Sequence, residues 1–102
     1  MEKTMFYLEK LKDEYRYDSV FVLTLSKAYL KSNRWADAKN ILQEFLAKNQ
    51  DSATMRGLLG MCFYMLGEDL SAKREWERAQ KLNPDEPVAK TGLEKLGKIL
   101  EK

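Results

Sequence analysis

Histidine is missing from all 102 residues, and with it the commonest general base and the commonest metal ligand. Cysteine occurs once, so no internal disulfide can form and the fold needs no oxidising compartment. Two prolines and five glycines are too few for a collagen-like or low-complexity chain, and 44% hydrophobic residues argue against disorder. Neither sign of charge dominates. Eighteen Lys and Arg against sixteen Asp and Glu leave a formal +2, too small an excess for a protein that lives on nucleic acid or an acidic membrane. No run approaches the roughly 18–20 apolar residues of a transmembrane helix. The longest apolar-rich stretch, Leu58 to Leu66, is interrupted by Gly60. Glu9, Lys10 and Lys12 break any secretory leader at the N-terminus. These absences predict one soluble, cytoplasmic domain that holds neither a cofactor nor a metal, binds no nucleic acid and inserts into no membrane.

What is present is helical periodicity. Met5, Leu8 and Leu11, with Phe6 and Tyr15 nearby, predict a first helix over about residues 3–15. Asp18-Ser19 offers a cap for a second, whose stripe is Val22, Leu25, Ala28 and Tyr29 and which ends near Ser32-Asn33. A third follows Asn33 and carries Ala38, Ile41, Leu42, Phe45 and Leu46. Asp51-Ser52 opens a fourth with Met55, Leu58, Leu59, Cys62, Phe63 and Leu66, stopped by Gly67. The fifth bears Leu70, Ala72, Trp76, Ala79 and Leu82. Pro87 suits the first turn of a sixth, with Val88, Ala89, Leu93, Leu96, Ile99 and Leu100. Sustained apolar and polar alternation is absent, so no strands are expected.

The cap signals Asp18-Ser19, Asp51-Ser52 and Asp85-Glu86 recur every 33 or 34 residues. Sliding the chain by 34 pairs Leu25 with Leu59, Ser26 with Gly60, Tyr29 with Phe63, Ala38 with Ala72 and Leu42 with Trp76. A fixed period of this size marks stacked helix pairs, because one pair cannot bury its apolar face alone. Two full units, residues 19–52 and 53–86, stand between half-units 3–18 and 87–102.

This unit resembles the tetratricopeptide repeat, whose pattern is W-x-x-L-G-x-x-Y followed by Ala, an aromatic and Pro. Leu59-Gly60, Phe63, Ala72, Trp76, Ala79 and Pro84 stand at its places in the second unit, with Arg56 where Trp is usual. Val22, Leu25-Ser26, Tyr29, Ala38, Leu42 and Phe45 fill them in the first, and Gln50 replaces the Pro. The resemblance implies an all-α, right-handed helical-hairpin solenoid of about six antiparallel helices. It also implies a non-catalytic protein-binding module, an adaptor or scaffold. The concave groove of such an array would take a peptide or helical segment of a partner. By register, that groove would carry Val20, Leu23, Lys27, Leu30 and Lys31 on the second helix and Thr54, Gly57, Met61, Tyr64 and Met65 on the fourth. Val88, Thr91 and Lys95 would follow on the sixth. Leu23, Leu58 and Met61 fall where a carboxylate clamp would need polar residues, so that activity is not expected. Met61 and Met65 also suit plain helix packing, and the sequence leaves both readings open.

Elsewhere the residues read as structural. Glu68-Asp69 and Asp85-Glu86 sit at helix starts, where the dipole favours negative charge. Cys62 lies on an apolar stripe with no histidine to activate it. Gly57 and Gly60 lie within a helix, unlike a phosphate loop. Lys73, Arg74, Arg78 and Lys81 alternate with Glu75 and Glu77, the pattern of a solvated helix face. The alternative function is a structural or self-associating segment of a longer solenoid, forming a homodimer through uncapped repeat ends.

Overall fold

The carboxylate of Asp18 accepts a hydrogen bond from Phe21 N at 2.9 Å and so starts the first full helical hairpin, a cap of the kind that contributes about 1 kcal/mol. In the computed structural model, residues 2–49 and 51–100 are described. They form α1 (Glu2–Leu11), α2 (Ser19–Lys31), α3 (Trp35–Lys48), α4 (Ala53–Met65), α5 (Asp69–Leu82) and α6 (Pro87–Leu100), with no strand among them. The architecture is all-α. The helices divide between two compact units, Met1–Asn49 and Gln50–Lys102. Gln50 and the side chains of Ile99 and Leu100, on which the sequence reading also drew, lie outside the described residues.

The 34-residue period is written into the backbone. The residues whose side chains cap α2, α4 and α6 are Asp18, Ser52 and Glu86, each 34 positions after the last. Asn33 and Gly67, also 34 apart, take positive φ values of 60° and 82° at the hairpin turns. Both residue types adopt the left-handed region at low cost. Arg34 N donates to Tyr29 O and Glu68 N to Phe63 O, each at 2.8 Å, so the two turns close in the same way.

In the first unit, Val22, Leu25 and Tyr29 of α2 are buried together with Ala38, Ile41, Leu42, Phe45 and Leu46 of α3. Ser26 is fully buried, and its hydroxyl donates to Val22 O at 2.7 Å, which removes the cost of an unpaired polar group. Helix α1 stops at Leu11, four residues short of the position that periodicity predicts. Residues 12–17 instead fold into turns that bring the Tyr15 ring to 5.4 Å from that of Phe21. Packing against α2 outweighs the local helical pattern there.

In the second unit, Met55, Leu58, Leu59, Cys62 and Phe63 of α4 share a core with Ala72, Trp76 and Ala79 of α5 and Ala89 and Leu96 of α6. Large and small residues trade places between the units. Leu42 and Phe45 occupy in one the places of Trp76 and Ala79 in the other, and all four are buried. Such exchange keeps the core volume filled. Three residues of the predicted stripes in this unit are exposed, Leu66, Leu70 and Leu82, as is Leu11 at the end of α1 in the first unit. Leu66 follows the end of α4 and Leu82 closes α5. Leu70 is about 200° around the helix from Ala72, at 100° per residue, and faces away from the buried stripe of Ala72, Glu75, Trp76 and Ala79.

Arg56 stands where the repeat pattern has Trp. It replaces aromatic packing with ion pairs, 2.7 Å to Asp51 and 2.7 Å to Glu75, while Arg78 approaches Glu75 from the other side at 3.7 Å. Burial disfavours the Arg56 charge, but Asp51 and Glu75 more than restore it and hold the guanidinium above its ordinary pKa.

Candidate functional site

The site is built around Trp76. Its indole lies between two glycines: a Cβ on Gly60 of α4 or on Gly92 of α6 would collide with the ring. The indole N–H donates to the carbonyl of Gly57 at 2.9 Å, so α5 is fastened to α4 through Trp76. Glu86 completes the arrangement. It is 3% exposed, its carboxylate accepts from Ala89 N at 2.6 Å, and it fills the space where a side chain on Gly57 would stand. Helix α6 is thereby set beside α4 with an opening between them.

That opening is a cleft of about 310 Å³ lined by Met61 and Tyr64 from α4, Trp76 from α5, and Pro87, Val88, Thr91, Gly92 and Lys95 from α6. The Tyr64 ring packs 5.9 Å from Trp76 at an interplanar angle of 41°. Lys95 carries the single charge among these eight residues. The cleft offers an apolar wall, two hydroxyls and one ammonium. It has no paired acid and base, and among the described residues no group of three or more metal-ligating side chains occurs.

Of the residues expected at a groove, the structure brings together Met61, Tyr64, Val88, Thr91 and Lys95. Gly57 is buried against Glu86, and Thr54 and Met65 are exposed outside the cleft lining. On α2, in the other unit, Val20, Lys27 and Lys31 are exposed while Leu23 and Leu30 are half-buried. Sequence reasoning missed Trp76, Pro87 and Gly92 as lining residues. Trp76 had a core role in the reading and keeps it, but its edge also floors the cleft. No local signal marks Gly92, since the packing of α6 on Trp76 decides its role.

A residue-by-residue match of capping, turn closure and core places over two successive hairpins is a family-level observation, and comparison with family models matches residues 23–87 to the tetratricopeptide repeat. The chain belongs to the tetratricopeptide repeat family. No curated protein and no solved structure matches it. Tetratricopeptide repeats generally mediate protein–protein interaction and are generally non-catalytic. Among the described residues, no helix of this tetratricopeptide repeat chain is long and apolar enough to cross a membrane.

The first unit holds a second hollow, of about 270 Å³ and polar, lined by Lys12, Asp13, Arg16, Tyr29, Asp37, Asn40, Ile41 and Glu44. Beside it, Glu9 Oε1 accepts from the Tyr29 hydroxyl at 3.0 Å and pairs with Arg34 at 2.7 Å. Burial raises the Tyr29 pKa above the ordinary phenol value, and the hydrogen bond to Glu9 raises it further.

Proposed function

We propose that the chain is a non-catalytic interaction module whose α4–α6 cleft receives an apolar side chain from a peptide or helical segment of a partner protein. Lys95 then meets an acidic group beside that side chain. The observation that carries this reading is the cleft itself, an apolar hollow of about 310 Å³ with one cation at its edge. Full burial of one partner side chain there contributes about 1.5–3 kcal/mol. Met61 adapts its shape to the entering group, as thioethers do at peptide sites. In the first unit, taken by itself, Val20, Leu23, Lys27, Leu30 and Lys31 on α2 are a second proposed contact surface for a protein partner. A protein rather than a nucleic acid as ligand, and a cytoplasmic setting, belong to the same reading.

The test compares the wild-type chain with the Met61→Glu and Tyr64→Ala variants as baits in a pull-down from source cells. Circular dichroism establishes beforehand that each variant is folded. A protein held by the wild type should bind both variants about 1–3 kcal/mol more weakly, the size expected for anchor residues. Equal retention by wild type and both folded variants rejects the cleft.

A second reading, self-association, is favoured by Phe6 and Tyr7, each 63% exposed on α1. Sedimentation velocity over a hundredfold concentration range decides it, and a strictly monomeric chain rejects it.

A further inference from the structure

Helix α1 is attached to the first unit in a manner unlike any other helix. Of its residues from Met5 to Leu11, none is fully buried: Met5, Leu8 and Glu9 are half-buried, and Phe6, Tyr7, Lys10 and Leu11 are exposed. The three half-buried residues share one face, at spacings of three and four. Helix α1 packs on α2. Among the described residues, the side-chain bonds that tie it to the rest of the unit converge on Glu9, which accepts from the Tyr29 hydroxyl at 3.0 Å and pairs with Arg34 at 2.7 Å. The receiving side is built independently of α1. Arg34 is fixed by Asp37 at 2.8 Å and stacks over the Tyr29 ring at 4.8 Å, and Tyr29 belongs to the α2–α3 core. In the connection between α1 and α2, Tyr15 packs on Phe21, while Lys12, Asp13 and Arg16 line a polar hollow with Tyr29, Asp37 and Glu44.

A ten-residue helix is too short to persist alone in water, so α1 forms only while docked. With little apolar burial and its attachment made at a half-exposed carboxylate, it opens well before the rest of the unit. We propose that the α2 face bearing Tyr29, together with Arg34 at the start of α3, is a helix-binding site which α1 fills as a displaceable internal occupant. The partner it fits is a protein helix with apolar residues three positions apart and a carboxylate at the next position, the pattern of Met5, Leu8 and Glu9. The apparent affinity for that helix is the intrinsic one reduced by the fraction of chains with α1 open. The site lies in the first unit and is separate from the α4–α6 cleft.

Hydrogen exchange on the full chain is the first arm of the test. The amides of α1 should exchange about 100-fold or more faster than those of α2 and α3, through an opening insensitive to denaturant. Protection of α1 equal to that of α2 overturns the proposal. The second arm adds a fluorescein-labelled synthetic peptide with the sequence of residues 2–17 to the full chain and follows anisotropy. Glu9→Ala in the chain weakens the internal occupant and should tighten peptide binding about fivefold, whereas Glu9→Ala in the peptide should weaken it about fivefold. Leu8→Ala in the chain should act in the same direction as Glu9→Ala, so the outcome does not hang on one variant. Met61→Glu should leave peptide binding unchanged, which separates this site from the cleft. No saturable binding to the folded Glu9→Ala and Leu8→Ala chains overturns the proposal.

Discussion

The indole of Trp76 donates its N–H to the carbonyl of Gly57 across 2.9 Å, in the buried core, and this bond joins the two helices of the second hairpin. A Trp76→Phe substitution removes the donor and leaves a void between Gly60 and Gly92. Urea unfolding should show a loss of about 2–4 kcal/mol, a cavity term added to a lost buried hydrogen bond. A midpoint within error of wild type would show that the indole is not what fastens α5 to α4.

Two glycines of α6 should respond in opposite ways to the same change. A Cβ on Gly92 meets the Trp76 ring, which is held between α4 and α6 and has nowhere to go, whereas a Cβ on Gly97 meets nothing within 4 Å. Gly92→Ala should cost about 1–3 kcal/mol by overpacking and narrow the cleft. Gly97→Ala should stabilise by about 0.5–1 kcal/mol through helix propensity alone. Thermal melts of the two single variants check the contrast, and equal shifts would contradict it.

Arg56 and Glu75 form a partly buried pair at 2.7 Å in place of the aromatic that the repeat pattern carries. Arg56→Ala leaves Glu75, 8% exposed, with only the more distant Arg78, and should destabilise by about 1–3 kcal/mol. Arg56→Leu combined with Glu75→Leu removes both charges and should recover most of that loss, because a buried pair is often replaceable by apolar packing. If the double variant is as unstable as the sum of the singles, the pair has no coupling and this account of Arg56 fails.

Tyr29 gives the chain an alkaline limit. Its phenol is neutral in the folded state beyond the pH at which an unfolded tyrosine ionises, about 10. The stabilisation is therefore complete below that pH and is lost as the pH rises toward the folded-state value. Stability measured by urea at increasing pH should fall above about pH 10. Tyr29→Phe should flatten that fall and, at neutral pH, cost the hydrogen bond to Glu9. An unchanged alkaline slope in Tyr29→Phe would place the titrating group elsewhere.

Much of the fold was legible in the chain because its signals are local. Asp18 and Ser52 cap helices through bonds to residues three positions away, and Gly67 ends a hairpin turn through its own φ. The cleft was legible only in part. Met61, Tyr64 and Lys95 follow from register, but Gly57 was placed at a binding surface when Glu86 in fact covers it. Nothing in the residues around Gly57 announces a carboxylate 29 positions further along the chain.

By itself the sequence determined the helices, their 34-residue period and the apolar face of nearly every one, since turn geometry, capping and side-chain periodicity act over a few residues. Only the tertiary structure decided that α1 ends at Leu11, that Leu70 faces water, and that Trp76 lies between Gly60 and Gly92 with an open cleft above it. Those outcomes depend on which distant side chain fills a given space, and pairwise packing in three dimensions leaves no imprint on the local pattern that precedes it.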